Sequence, residues 1–145
     1  MPAPRILPPL FVFANLAAAC AVEPAPMQTS VEFPDAPTAT VSSSSGALTA
    51  DVRTAPSQPP TRGVSSVRMT LKRSDGTPIT GAALTVVPWM PAMGHGTSVV
   101  PTVTEEGDGS YRVDDVDMFM PGVWELRTTV SGATEDQVVP SFQIP

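Results

Sequence analysis

The most regular feature of this sequence is a period-two alternation of apolar and polar residues that begins near residue 46. In residues 67–72, Val, Met and Leu alternate with Arg, Thr and Lys. In residues 124–127, Trp and Leu alternate with Glu and Arg. Because successive side chains of a β-strand point to opposite faces, this period predicts strands that are buried on one face. No segment gives comparable support to the helical period of 3.6 residues.

Turn signals separate these alternating segments along the chain. Asp75-Gly76 predicts one turn, and residues 106–109, Glu-Gly-Asp-Gly, predict a hairpin between two short strands. Pro140 lies inside the last alternating segment and predicts an edge strand or a bulge there. About seven short strands in one domain predict an all-β fold, an Ig-like antiparallel β-sandwich. The predicted inward-facing residues are Val67, Met69, Leu71, Leu84, Val86, Tyr111, Val113, Trp124 and Leu126.

The first twenty residues follow a different pattern, in which Arg5 precedes an apolar stretch and then a run of alanines. This pattern is typical of a secretory signal peptide, predicted here over residues 1–19. Cys20 is the only cysteine, so no intramolecular disulfide can form. Residues 16–20, Leu-Ala-Ala-Ala-Cys, resemble a bacterial lipobox, which makes Cys20 the predicted lipidation site. Ordinary cleavage near Ala19 or Ala21 is the alternative.

Residues 20–45 are rich in proline and serine and contain few bulky apolar residues. They are predicted to form a disordered tether behind the lipidated cysteine, followed by the sandwich domain over residues 46–145. These segments together predict an exported protein that is held in the bacterial cell envelope by a lipid anchor. The domain would then face the periplasm or the cell exterior.

Charge excludes one class of partner. The chain has 14 Asp and Glu against 8 Lys and Arg, a net charge of −6. Because binding to phosphate backbones needs a basic face, nucleic acid is not expected as a partner.

The most distinctive local motif lies in residues 89–96, Trp-Met-Pro-Ala-Met-Gly-His-Gly. Met90, Met93 and His95 supply two thioethers and the only imidazole of the chain, and Met120 or Met118 could add another thioether. Soft thioether ligands with one imidazole favour Cu(I) over Zn²⁺, Mg²⁺ or Ca²⁺. Packing is the competing interpretation, since methionine also fills irregular gaps in cores.

No enzyme is expected from this sequence. His95 is the only histidine, and there is neither a Gly-x-Ser-x-Gly element nor a glycine-rich phosphate loop. The sequence therefore predicts a binding module, of one of two kinds. The first binds or relays Cu(I) through Met90, Met93 and His95, with Met120. The second docks on another envelope protein through an apolar surface of Trp89, Met90 and Met93.

Several of these motifs occur together in one known family. The Asp75-Gly76 turn, the Met-Pro-x-Met-x-His element of residues 90–95, the Gly-x-Gly-x-Tyr of residues 107–111 and the Met-Pro-Gly-Val-Trp of residues 120–124 resemble a YtkA-like domain. This family is related to the FixH proteins of bacterial membranes. The resemblance implies an exported or membrane-tethered Ig-like sandwich. FixH relatives are associated with maturation of a copper-containing terminal oxidase, but this chain departs from FixH because it lacks a transmembrane helix and has a predicted lipid anchor instead.

Overall fold

A computed structural model describes residues 30–145, and every regular element in that range is a β-strand. The ten strands are β1 (Ala39–Ser42), β2 (Leu48–Ala55), β3 (Gly63–Arg73), β4 (Ala83–Met90), β5 (His95–Gly96), β6 (Thr102–Gly107), β7 (Ser110–Met118), β8 (Gly122–Ser131), β9 (Asp136–Val138) and β10 (Ser141–Ile144). The described range contains no helix long and apolar enough to cross a membrane.

The strands form two antiparallel sheets that pack face to face. Sheet A has the order β1-β2-β3-β7-β6, and sheet B has the order β10-β8-β4-β5, with β9 also paired to β8. The predicted fold class, an all-β antiparallel sandwich, is confirmed. The predicted hairpin is also present, because β6 and β7 pair antiparallel around Asp108 and Gly109. Both of these residues have positive φ values, of 52° and 75°, as a tight hairpin turn requires.

The core lies between the sheets and follows the sequence alternation closely. Eight of the nine predicted core residues are buried, and Leu84 is partly buried against the same cluster. Tyr111 is the one buried residue of this set with a hydroxyl, which donates to the Ile79 carbonyl at 2.8 Å and accepts from the Ala82 amide at 3.1 Å. The polar atom of this residue is therefore satisfied inside the core.

The predicted disordered tether over residues 20–45 is wrong for residues 30–45, the part of it that the structure describes. Residues 39–42 form β1, which pairs with β2 from Ala39 to Ser42. Before β1, Phe33 is buried and the Arg53 guanidinium donates to the Asp35 carbonyl. The serine run does not continue a disordered segment, since it makes the turn between β1 and β2. The Ser43 amide there donates to the Leu48 carbonyl at 2.9 Å.

The domain therefore begins before residue 46. The segment that forms the edge strand of sheet A is one that appears low in complexity from its composition alone. The predicted signal peptide, Cys20 and residues 20–29 of the predicted tether lie outside the described residues.

The last strand illustrates how a proline fits an edge. Thr128 pairs with Val138 and Glu125 pairs with Ser141, so the same register continues across Pro140. The Leu126 amide donates to the Pro140 carbonyl at 2.8 Å. Because the N–H and C=O of one residue point to the same side of a strand, the missing N–H of Pro140 faces β8, and the ladder loses one hydrogen bond there. The one predicted segment thus appears as two strands, β9 and β10.

Candidate functional site

The methionine–histidine motif forms a hairpin at the end of sheet B. β4 ends at Met90, and Met90 pairs with His95 in β5. Four residues form the turn, and the amides of Met93 and Gly94 both donate to the Met90 carbonyl, at 3.1 and 3.0 Å. Gly94 has a φ of 68°, which an L side chain rarely adopts. The glycine and proline of the motif thus serve a tight reversal of the chain.

The three donor residues are close together in sequence, but their side chains point in different directions in this hairpin. Met90 is only 4 % exposed, and a Cβ added to Gly122 would lie 2.5 Å from its terminal methyl. Met93 is 52 % exposed, and His95 is also exposed. Met120 is partly buried against the core. Two of the four predicted copper ligands therefore face solvent, whereas Met90 belongs to the packing between the sheets.

The imidazole of His95 has one polar contact in the described chain, from Nδ1 to the Gly96 carbonyl at 3.1 Å. Within residues 30–145, no three His, Cys, Asp or Glu residues cluster as metal ligands would. Any metal at this hairpin would consequently depend on the thioethers.

Trp89 faces the opposite side of sheet B from Met90. It pairs with Gly96 on one side and with Glu125 on the other. The Arg127 guanidinium lies over the indole ring, 4.7 Å from its centroid, and Arg127 Nε contacts Glu125 Oε2 at 3.0 Å. This cation–π contact and ion pair hold the ring of Trp89 against the sheet.

Gly96 is needed for this arrangement. A Cβ at position 96 would lie 2.3 Å from the Pro88 carbonyl oxygen, which belongs to the backbone of β4. Only a glycine lets β5 approach β4 so closely, and the short strand then flanks Trp89.

A groove of about 660 Å³ runs along this outer face beside Trp89. We call it the Trp89 groove, and it is lined by Val87, Trp89, Glu125, Arg127, Thr128, Thr129, Gln137 and Val139. Val87 is 45 % exposed there, although it lies in the middle of a strand. The sequence motif led to Trp89 but not to Val87, Arg127, Gln137 or Val139. The alternation in residues 124–127 placed Arg127 on an outward face, but only strand pairing brings it beside Trp89.

The outer face of sheet A has a different character. Cross-strand ion pairs cover it, including Arg68 with Glu106 at 2.7 Å, Arg112 with Glu106 at 3.4 Å and Lys72 with Asp51 at 3.3 Å. Such a charged face is typical of a surface in contact with water. Among the described residues, every buried side-chain nitrogen and oxygen has a hydrogen-bond partner. No unpaired polar group therefore marks a site inside the sandwich.

Comparison with known proteins identifies the family. No curated protein and no solved structure matches the chain. One family model, described as YtkA-like, matches residues 44–129, which run from the turn before β2 into β8. The match includes the hairpin with Met90, Met93 and His95, and also both strands that carry Trp89 and Arg127. Because it covers more than half of the 145 residues, the chain belongs to the YtkA-like family.

Proposed function

We propose that this protein is an exported, lipid-anchored docking module that binds another cell-envelope protein through the Trp89 groove. The proposal rests on one observation. The Trp89 indole lies under the Arg127 guanidinium and beside the exposed Val87, in a groove on the outer face of sheet B. The YtkA-like family is not a known enzyme family, and the proposal assigns no catalysis.

The composition of the groove supports a protein partner. Trp and Arg are the residues in which binding energy concentrates at protein interfaces, particularly where they are already held in place. Val87 and Val139 supply apolar walls, and Thr129 and Gln137 supply hydrogen-bonding groups at the edge. The groove thus suits a partner that inserts an apolar side chain and offers polar groups around it.

Anchoring is the second part of the proposal and rests on sequence. Acylation of Cys20 would hold the domain at a membrane surface, where a partner in the same envelope is reached at high effective concentration. Mass spectrometry of the mature protein tests this part separately. A diacyl or triacyl group on Cys20 supports it, and an unmodified cysteine or cleavage beyond residue 20 contradicts it.

Photo-crosslinking in the native cell envelope tests the docking surface. A photo-reactive amino acid in place of Val87 should capture one partner, and the matched substitution of exposed Thr104 on the outer face of sheet A should not. A second substitution, Trp89→Ala, should weaken the captured complex about tenfold or more, because it removes the central aromatic residue. Equal capture from both positions would contradict a docking surface on sheet B.

A second candidate function is Cu(I) binding at the hairpin. The supporting observation is that Met93 and His95 are both exposed within three residues of one tight turn. Met120 in the neighbouring β7–β8 link offers a third donor, whereas Met90 is enclosed in the core. Thioethers with one imidazole suit Cu(I).

An anaerobic titration with Cu(I) against a chromogenic chelator tests this candidate. Met93→Leu should abolish competition for copper and leave stability nearly unchanged, since the two side chains have similar volumes. Met90→Leu serves as the matched control and should retain copper binding. Cu(I) binding at this hairpin would be contradicted if the parent protein did not compete with the chelator for Cu(I), or if the Met93→Leu variant competed equally well.

A further inference from the structure

One end of the sandwich carries three connections that contain a single charged side chain, Arg62. The β2–β3 link, the chain from the end of β4 into β6, and the β7–β8 link meet there, because Gly63 pairs with Met118 and the Met90 methyl lies against Gly122. Apart from Arg62, these links lie within residues 54–61, 88–104 and 118–124, which include no Asp, Glu, Lys or Arg. We call this the uncharged end, and Arg62 and Asp117 border it.

Exposed apolar side chains are concentrated at the same end. Seven large hydrophobic residues are exposed in the described chain, and five of them lie in the last two of these segments. Their exposed fractions are 83 % for Val100, 52 % for Met93, 44 % for Phe119, 43 % for Val123 and 41 % for Val99. Loops normally place polar residues in water, so a group of exposed apolar loops indicates a surface that contacts something apolar.

The opposite end is acidic. Its turns carry Asp75 after β3, Asp108 between β6 and β7, and Glu135 and Asp136 after β8. The molecule is therefore polarised along its strands. An anionic surface would repel the acidic end, while the apolar loops of the uncharged end can approach an interface of low dielectric without desolvating a charge of their own.

The described chain also enters the fold at the uncharged end. Gln58, in the β2–β3 link, donates to the Ala36 carbonyl at 2.8 Å, and Phe33 and Ala55 border one groove, with the exposed Glu32 at its edge. The sequence before residue 30 therefore joins the domain on the side of the apolar loops. Ten residues, the number from position 20 to position 29, span at most about 35 Å.

From these observations we propose that the uncharged end seats the domain on the lipid bilayer, with Val100 and Phe119 in the interfacial layer. The partner surface is the uncharged glycerol and upper acyl region, since this end has only one basic side chain, Arg62, to attract anionic headgroups. This seating is independent of the Trp89 groove, which lies on the side of the sandwich and would stay open to a protein.

The test attaches the full chain to vesicles through its single cysteine. Cys20 is coupled in vitro to a maleimide-bearing lipid in phosphatidylcholine vesicles, so the geometry does not depend on acylation in cells. Val100→Trp adds a probe at the uncharged end, and Val87→Trp adds the matched probe on the outer face of sheet B. Brominated phosphatidylcholine then quenches any indole within the interfacial layer, and the signal of Trp89 and Trp124 is subtracted using the parent protein.

We expect bromine to quench the added fluorescence of Val100→Trp by about half and that of Val87→Trp hardly at all. Adding Phe119→Asp should remove most of the quenching at position 100, and replacing part of the lipid with phosphatidylglycerol should not increase it. Equal quenching at both positions, no quenching at position 100, or quenching that requires anionic lipid would overturn the proposal. Photo-crosslinking from position 100 to a protein, with no quenching by lipid, would assign this end to a protein partner instead.

Discussion

The outer faces of the two sheets differ, although both are built from strands with the same alternation. On sheet A, the outward positions carry Arg68, Lys72 and Arg112, each in an ion pair with a carboxylate. On sheet B, the outward positions include Val87 and Trp89, and the one ion pair there supports the indole. The comparison shows that alternation fixes which residues point outward. The chemistry at those positions then separates a charged face in contact with water from the face on which we propose docking.

The two tryptophans give the largest expected contrast, because they lie on opposite faces of sheet B. Trp124 is fully buried and donates from Nε1 to the Met120 carbonyl at 2.8 Å. Trp124→Ala should lower the free energy of unfolding by about 3–5 kcal/mol, as expected for a large cavity. Trp89→Ala should cost only about 1 kcal/mol while it weakens the proposed docking. Urea denaturation of both variants checks this, and similar losses would mean that Trp89 is a core residue.

Gly96 tests whether the edge of sheet B holds the Trp89 groove in shape. Gly96→Ala should lower the free energy of unfolding by about 1–3 kcal/mol, because the added Cβ would clash with the Pro88 carbonyl and push β5 away. Amide hydrogen exchange should show faster exchange at Trp89 and Met90. Gly94→Ala is the comparison variant, since its cost comes from a positive φ in an open turn. Unchanged exchange at Trp89 would show that β5 does not support the groove.

Asp136 links the two sheets at the acidic end. The hydroxyl groups of Ser43 and Ser45 hold the pKa of Asp136 at about 2, below its ordinary value of 3.8. A carboxyl with a depressed folded pKa stabilises the fold above pH 4, and this stabilisation is lost as the pH falls from about 4 to 2. Asp136→Asn should lower Tm by about 2–4 °C at pH 6, a small effect because the group is exposed.

Thermal unfolding at several pH values checks the Asp136 prediction. The difference in Tm between the parent and Asp136→Asn should disappear near pH 2. A difference that stays constant down to pH 2 would show that the carboxylate charge is not the cause. The neighbouring Glu135→Gln variant controls for the general loss of a negative charge.

The ion pairs of sheet A should contribute least. Lys72→Gln breaks the contact with Asp51, whose pKa is lowered by the Thr40 hydroxyl and also by Lys72. Because exposed ion pairs contribute little, we expect a loss of about 0.5 kcal/mol or less, and no change in partner capture from position 87. A loss of more than about 2 kcal/mol in urea denaturation would show that the charged face of sheet A is structural rather than merely solvated.

Most of the sandwich was predictable from sequence because burial imposes period two on every strand. Val67, Met69 and Leu71 face inward as the alternation predicted. β1 was missed because its four residues lie among prolines and serines, and only their pairing with β2 identifies them as a strand. β5 was missed because two residues are too few to show a period.

The candidate site was less predictable. The motif led to Met90, Met93 and His95 but could not show that Met90 faces the core while the other two face solvent. Two residues of the same type in a hairpin can face the core or the solvent, because strand register decides where each side chain points. Trp89 was identified from its place in the motif alone, and the sequence did not show which residues surround it.

The sequence by itself determined the strands other than β1 and β5, the turn at Asp108 and Gly109, most of the buried set and the family, since these depend on local chemistry and on alternation. Only the tertiary structure decided which strands are neighbours. That pairing places Arg127 over Trp89, and it gathers the apolar connections at one end and the acidic turns at the other. The physical reason is that contacts between distant residues follow from how the two sheets bury their apolar faces together, and no local pattern records that arrangement.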